Sequence, residues 1–166
     1  MAARFSIERL SAKHDRSGFD CGSEPLNRYF SQQVTQDIRR RVATCFVAVT
    51  SAGAIAGYYT LASASVPLAD LPSETARRLP RYPSVPAVRM GRLAVDRQFK
   101  GQGLGAALLA DALTRALSSD IAAFALIVDA KDDAAAAFYR QHGFIAFDNP
   151  RALFLPLTTA KALPRA

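Results

Sequence analysis

Arg92-Leu93-Ala94-Val95 runs through Asp96 to Phe99 into Lys100-Gly101-Gln102-Gly103-Leu104-Gly105-Ala106-Ala107-Leu108-Leu109, and Ala137-Phe138-Tyr139-Arg140-Gln141-His142-Gly143-Phe144 answers it further on. A β-rich run entering a glycine loop that opens a helix is an order that turns backbone N–H groups and a helix N-terminus into a pyrophosphate cradle. Gly101, Gly103 and Gly105 remove the Cβ atoms that would block close approach of a phosphate or forbid positive φ. Beyond them Leu108, Leu109, Ala112, Leu113 and Leu117 recur at helical spacing, with Asp111 and Arg115 on other faces. The loop therefore feeds an amphipathic helix, and the expected ligand is nucleotide-like.

Two familiar phosphate loops do not fit. A P-loop places Lys and then Ser or Thr at its last glycine, where this chain has Ala106-Ala107, so the magnesium-binding hydroxyl is missing. A dinucleotide fold places GxGxxG in the first βαβ unit with an acidic residue about 20 residues on, whereas this pattern reads GxGxG and lies past mid-chain. An ordinary strand-to-helix turn is the remaining plain alternative.

The loop resembles the acetyl-CoA site of the GNAT acetyltransferase superfamily, whose signature is Gln or Arg, two residues, Gly, one residue, then Gly or Ala. Lys100, Gly103 and Gly105 occupy those positions, Lys100 departing from the usual first residue while keeping its positive charge. The resemblance implies backbone contacts to the cofactor at Leu93, Ala94 and Val95, phosphate contacts over Lys100, Gly101, Gln102, Gly103, Leu104, Gly105 and Ala106, and flanking contacts from Asp132 and Phe138. It also implies that Tyr139 stands beside the coenzyme A sulfur. Further along, Phe19-Asp20-Cys21-Gly22, Leu26-Asn27-Arg28-Tyr29-Phe30, Gly57-Tyr58-Tyr59-Thr60-Leu61, Val128-Asp129-Ala130-Lys131-Asp132 and Leu153-Phe154-Leu155-Pro156 are similar to one subgroup, the GNAT-type toxins of bacterial toxin/antitoxin pairs. Members of that subgroup acetylate the amino acid carried on a charged tRNA.

Composition bounds the rest. A chain of 166 residues suits a single domain over 1–166 with a core of about 5–156, large enough to fold without metal or disulfide. Cys21 and Cys45 have no CxxC spacing, so neither zinc nor a disulfide is expected, and the compartment implied is the reducing cytoplasm. No segment reads as a signal peptide or membrane span. Against 14 acidic residues stand 21 basic ones, a net charge of +7 that favours a polyanionic partner.

The expected elements are a strand at Phe5 to Leu10, a helix from Pro25 to Arg40 with Ser23 as N-cap, a hairpin of Cys45 to Val49 and Ile55 to Val66, and a proline-rich excursion over 67–86 with a short helix through Glu74 to Leu79. There follow a strand at Val88 to Val95, a helix at Gly103 to Ser118, a strand at Phe124 to Asp129, a helix at Ala134 to Gln141, strands near Ile145 to Phe147 and Leu153 to Leu155, and a peripheral tail from Thr158. The expectation is an α/β fold: a mixed, mostly antiparallel sheet with flanking helices and a crossover helix.

Amide formation from a thioester needs a neutral amine, a polarised carbonyl and a proton for the departing thiolate, but no covalent enzyme intermediate. An α-amino group with a reference pKa of about 7.7 to 8 is partly neutral at cellular pH, so a strong base is dispensable. Tyr139 is the candidate general acid; the plain alternative is a core aromatic with a satisfied hydroxyl. Tyr29, Tyr58 and Tyr59 are reserves, His14 is expected at the surface, and His142 is expected exposed at a helix end closed by Gly143.

Arg39, Arg40, Arg77, Arg78, Arg89 and Arg92 are the candidate contacts to nucleic acid, with Arg41 and Arg81 beside them. For Arg92 a site-proximal charge and a solvent-facing strand residue are equally open. The toxin resemblance implies aminoacyl-tRNA as substrate, a small ribbon-helix-helix-type antitoxin as partner, operator DNA bound only through their complex, and a homodimer. The alternative classes are a housekeeping GNAT enzyme for protein N-termini or small amines, and a non-catalytic module that binds coenzyme A.

Overall fold

The computed structural model describes residues 5–160, so Met1 to Arg4 and the tail from Lys161 lie outside the described residues. In chain order the elements are β1 (Phe5–Arg9), α1 (Glu24–Arg28), a π-helical turn (Tyr29–Gln33), α2 (Val34–Arg39), β2 (Thr44–Thr50), β3 (Ile55–Pro67), α3 (Ser73–Ala76), β4 (Ser84–Val95), α4 (Leu104–Ser118), β5 (Ala125–Asp129), α5 (Asp133–Gln141), β6 (Ile145–Ala146), β7 (Ala152–Pro156) and α6 (Leu157–Ala160). The strands join one sheet in the order β1-β2-β3-β4-β5-β7-β6. All but one of the strand pairings whose register is described are antiparallel.

The contacts cluster into two compact units, the first formed by the described residues up to Ala62 with Gly91–Ala112, the second by Ser63–Met90 with the described residues from Leu113 on. In the first unit β1 pairs antiparallel with β2 from Phe5↔Thr50 to Arg9↔Phe46, and β2 pairs with β3 through a bulge at Ala48/Val49. Its core stacks Phe30 on Tyr58, with ring centroids 4.3 Å apart and nearly parallel, and sets Phe19 against both.

The helix expected without a break from Pro25 to Arg40 is interrupted by the π turn. Two adjacent aromatics, Tyr29 and Phe30, are both buried, and Val34 after them is fully so. Widening one turn by a residue brings neighbours that an ideal helix would splay onto the same side. Ser23 stands at the N-cap as expected, in extended backbone with its carbonyl accepting from Asn27 N–H at 2.9 Å, but its side chain makes no capping bond. Asn27 instead reaches back, accepting from the Cys21 N–H at 2.9 Å and donating to Asp20 at 2.9 Å. His14 is not a surface residue either: its side chain is 4% exposed and its Nε2 lies 2.6 Å from Glu8, whose carboxyl is thereby held below the usual carboxylate range.

In the second unit β5 lies between β4, parallel from Ala87↔Ala125 to Met90↔Val128, and β7, antiparallel from Ala125↔Pro156 to Asp129↔Ala152. Ala125 to Val128 are all buried, as a strand covered on both faces requires, and Asp129 emerges at its end. A parallel pair needs a long crossover, and α4 lies in the chain between β4 and β5. Just before the tail, Leu157 is buried and donates its N–H to Phe124 carbonyl at 2.8 Å; of the tail expected to be peripheral, Thr158 and Thr159 are exposed in α6, Ala160 is buried, and the remainder lies outside the described residues.

Candidate functional site

The glycine loop belongs to the first unit and is held by a residue that sequence reasoning passed over. Asp96, buried at the exit of β4, caps the 3-10 turn Arg97–Phe99 by accepting from Gln98 N–H at 2.9 Å, and its other oxygen accepts from Asp20 N–H at 3.0 Å. Its own N–H donates to Ala56 carbonyl at 2.8 Å. An Asp directly after a strand and two residues before the N–H it caps was the available signal. Arg97 N–H donates to Asp20 carbonyl at 2.9 Å, and the Lys100 ammonium donates to Cys21 carbonyl at 2.9 Å. The charge that the sequence set beside the phosphates is thus tied to the Asp20–Gly22 turn.

Gly101 and Gly103 hold φ of +80° and +78°, and nothing stands within 4 Å of where their Cβ atoms would be. The backbone conformation demands glycine there, and the outer side of the loop is open to a ligand. Gly105 has no positive φ and lies in the first turn of α4. Gly103 carbonyl accepts from Ala107 N–H at 3.1 Å, which leaves the N–H groups of Leu104, Gly105 and Ala106 as first-turn donors with no helical acceptor. No acidic residue stands in that turn, so the positive end of the helix dipole is uncompensated and suits a phosphate. Gln102 is exposed, Ala94 is buried, and Leu93 and Val95 are half-buried on β4.

Asp132, Phe138 and Tyr139 belong to the second unit, on α5. Asp132 is the helix N-cap, accepting from Ala135 N–H at 2.8 Å. Phe138 meets Tyr139 edge-on at 5.3 Å and His142 at 4.6 Å. His142 is half-buried at the C-cap with Nδ1 2.8 Å from Phe138 carbonyl, so it is more engaged than the exposed residue expected, and Gly143 closes the helix as expected.

The tyrosine hydroxyls separate into two groups. Tyr29 donates to Asp37 at 2.7 Å, Tyr58 to Leu26 carbonyl at 2.8 Å, and Tyr59 to Asp111 at 2.5 Å. The Tyr139 ring is buried, yet among the described residues its hydroxyl has no hydrogen-bond partner, and it is not sealed from solvent. Burial pushes its phenol above the ordinary tyrosine range, so it stays protonated at neutral pH. A buried ring with a free, protonated hydroxyl is what a proton donor to a bound ligand requires, and the reserve tyrosines lack it.

The candidate arginines have different fates. Arg39 and Arg40 are exposed at the end of α2, and Arg77 and Arg78 are exposed after α3; none makes an ion pair among the described residues. Arg92 is half-buried rather than solvent-facing, its guanidinium lying over the Tyr29 ring, 3.5 Å from the centroid. Arg89 pairs with Asp129, and both line an open cavity of about 370 Å³ in the second unit with Ser65, Asp70, Ile127 and Phe147. Among the described residues no group of three or more His, Cys, Asp or Glu could hold a metal ion, and no helix is long and apolar enough to cross a membrane. Cys45 is fully buried with its thiol pushed up to about 12 by desolvation, which makes it inert.

Residues 13–153 match the family described as the acetyltransferase (GNAT) domain. A "tRNA-acetylating toxin" of Mycobacterium tuberculosis (strain ATCC 25618 / H37Rv) is 36% identical over 98% of both chains. Among solved structures, a tyrosine-to-phenylalanine mutant of KacT superposes with a TM-score of 0.87 at 30% identity, over 95% of this chain and 97% of that one. AtaT complexed with acetyl-methionyl-tRNAfMet gives 0.84 at 32%, over 95% and 98%. A tyrosine-to-phenylalanine mutant of the toxin AtaT, bound to the C-terminus of the antitoxin AtaR and acetyl-CoA, gives 0.77 at 29%, over 95% and 96%.

Proposed function

The chain belongs to the GNAT acetyltransferase family, and from that membership we propose that it moves acetyl from acetyl-CoA to the α-amino group of an aminoacyl-tRNA, as the translation-inhibiting toxin of a toxin/antitoxin pair. The observation that carries this reading is the 36% identity, end to end, with a tRNA-acetylating toxin. Acetyl-CoA is the co-substrate, and the loop fits its pyrophosphate: two glycines in the left-handed region, open space beside them and an uncompensated helix N-terminus.

Lys100, Gly101, Gln102, Gly103, Leu104, Gly105 and Ala106 form the phosphate cradle, while the backbone of Leu93, Ala94 and Val95 takes the pantetheine arm and Asp132 and Phe138 flank the cofactor. The neutral amine attacks the thioester carbonyl, the C–N bond forms as the C–S bond breaks, and the Tyr139 hydroxyl gives its proton to the departing thiolate. The proton lost by the amine passes to solvent, from which the phenolate is restored. The buried ring with a hydroxyl that has no hydrogen-bond partner among the described residues supports this role for Tyr139. Arg39, Arg40, Arg77, Arg78, Arg89 and Arg92 serve the RNA side, Arg92 by way of Tyr29 and Arg89 beside the cavity. An antitoxin partner is supported by the antitoxin-bound relative, and a ribbon-helix-helix type for that antitoxin, a homodimer and a cytoplasmic site of action complete the proposal.

The test is transfer of labelled acetyl to purified total tRNA, charged against deacylated. Label on charged tRNA alone is the expected result. Label on neither, with acetyl-CoA still bound, moves the activity to protein N-termini or small amines.

A further inference from the structure

Of the tyrosines, Tyr82 is the one whose ring stands in solvent, 64% exposed in the excursion between β3 and β4. An aromatic ring left in water is common on a mobile loop, but this loop is anchored on both sides of it. Leu79 packs against the second unit's core cluster and its N–H donates to Ala76 carbonyl at 3.1 Å, while Pro83 carbonyl accepts from Leu68 N–H at 3.0 Å. Between them Tyr82 N–H donates to Pro80 carbonyl at 2.8 Å, closing a tight γ-type turn about Arg81. Prolines at 80, 83 and 86 stiffen the same stretch. The backbone that carries the ring therefore has little conformational freedom left to lose. Arg77, Arg78 and Arg81 are exposed beside it in sequence and make no ion pair among the described residues.

We propose that Tyr82 is a stacking platform for an unpaired base at the 3′ end of the RNA substrate, with Arg77, Arg78 and Arg81 on the adjoining phosphates. This rests on the aminoacyl-tRNA reading, because the reacting ester lies at that single-stranded end. A base offers a π face to any aromatic ring, and cations beside the ring meet the phosphates on either side of the base. A self-contact of two copies centred on Tyr82 is disfavoured, since a twofold interface would set these arginines against their own copies.

The chain has no tryptophan, so Tyr82→Trp makes that position the sole indole emitter. The probes are an acceptor-stem minihelix with an intact unpaired 3′ tail and the same minihelix with the tail removed. Quenching by the tailed minihelix alone is expected, together with a KM for charged tRNA raised roughly 5- to 100-fold by Tyr82→Ala and restored by Tyr82→Phe, with kcat retained. Minihelix binding without quenching and without a KM change overturns the platform and leaves the tRNA reading standing. Quenching that follows protein concentration in the absence of RNA overturns it in favour of a self-contact. Failure to bind or acetylate any tRNA removes the tRNA reading itself, and the platform with it.

Discussion

At the scale of single residues, α2 and α5 end alike at different cost. In each, the second residue past the C-cap returns its N–H five residues back, Val42 to Asp37 carbonyl at 3.0 Å and Phe144 to Tyr139 carbonyl at 3.1 Å. The left-handed residue before it is Gly143 in one case, with φ +94°, and Arg41 in the other, with φ +61°. A side chain at that position costs about 1 to 2 kcal/mol that glycine does not. Arg41→Gly is therefore expected to stabilise the protein by about 1 kcal/mol, read as a higher denaturation midpoint at unchanged slope. Tyr139 gives a pH prediction whose sign follows from the direction of its shift. A phenol that must be protonated to act, and whose pKa is raised by burial, remains active up to a higher pH than ordinary tyrosine. The single-turnover rate should thus rise with deprotonation of the acceptor amine near pH 8 and show no falling limb below about pH 10. A falling limb between pH 8 and 9 would assign the acid elsewhere. Tyr139 was legible in the sequence through its surroundings, but its free hydroxyl was not, because hydrogen-bond partners such as Asp37 for Tyr29 and Leu26 for Tyr58 come from tertiary contacts.

At the scale of elements, Gly57 on β3 is where strand and helix close on the glycine loop. A Cβ there would stand 2.8 Å from Ala94 carbonyl and 2.9 Å from a Leu108 methyl, one on the β4 segment before the loop and the other on the helix after it. Gly57→Ala should cost about 1 to 3 kcal/mol by overpacking, a loss of several degrees in Tm, and weaken acetyl-CoA binding as the two flanks of the loop are pushed apart. Unchanged affinity in a folded variant would show that the loop is insulated from β3. Long periodic elements such as α4, and continuous apolar runs such as β5, were legible because their burial pattern is written in consecutive residues. The π turn was not, since the adjacent aromatics Tyr29 and Phe30 fit a plain helix pattern equally well and only the core decides that both go inside. Ser23 was legible as the N-cap, but not that Asn27 supplies the side-chain bonds that organise that turn, from inside the helix.

At the scale of the whole molecule, composition announces a cationic protein but does not say which cations are available. Arg28, Arg89, Arg97 and Arg151 are paired with carboxylates, whereas the exposed arginines at 39–41 and 77–81 make no ion pair among the described residues. One such group lies in each compact unit, and both are therefore available to a polyanion. The glycine loop lies in the first unit and Tyr139 in the second, and the proposed roles make cofactor binding and proton transfer separable by mutation. The most direct measurement is the rate of labelled acetyl transfer from acetyl-CoA to charged tRNA by wild type and Tyr139→Phe, with acetyl-CoA affinity measured alongside. The account predicts unchanged affinity and a rate lower by roughly 10²- to 10⁴-fold, with no label on deacylated tRNA. Equal rates for the two proteins would contradict it.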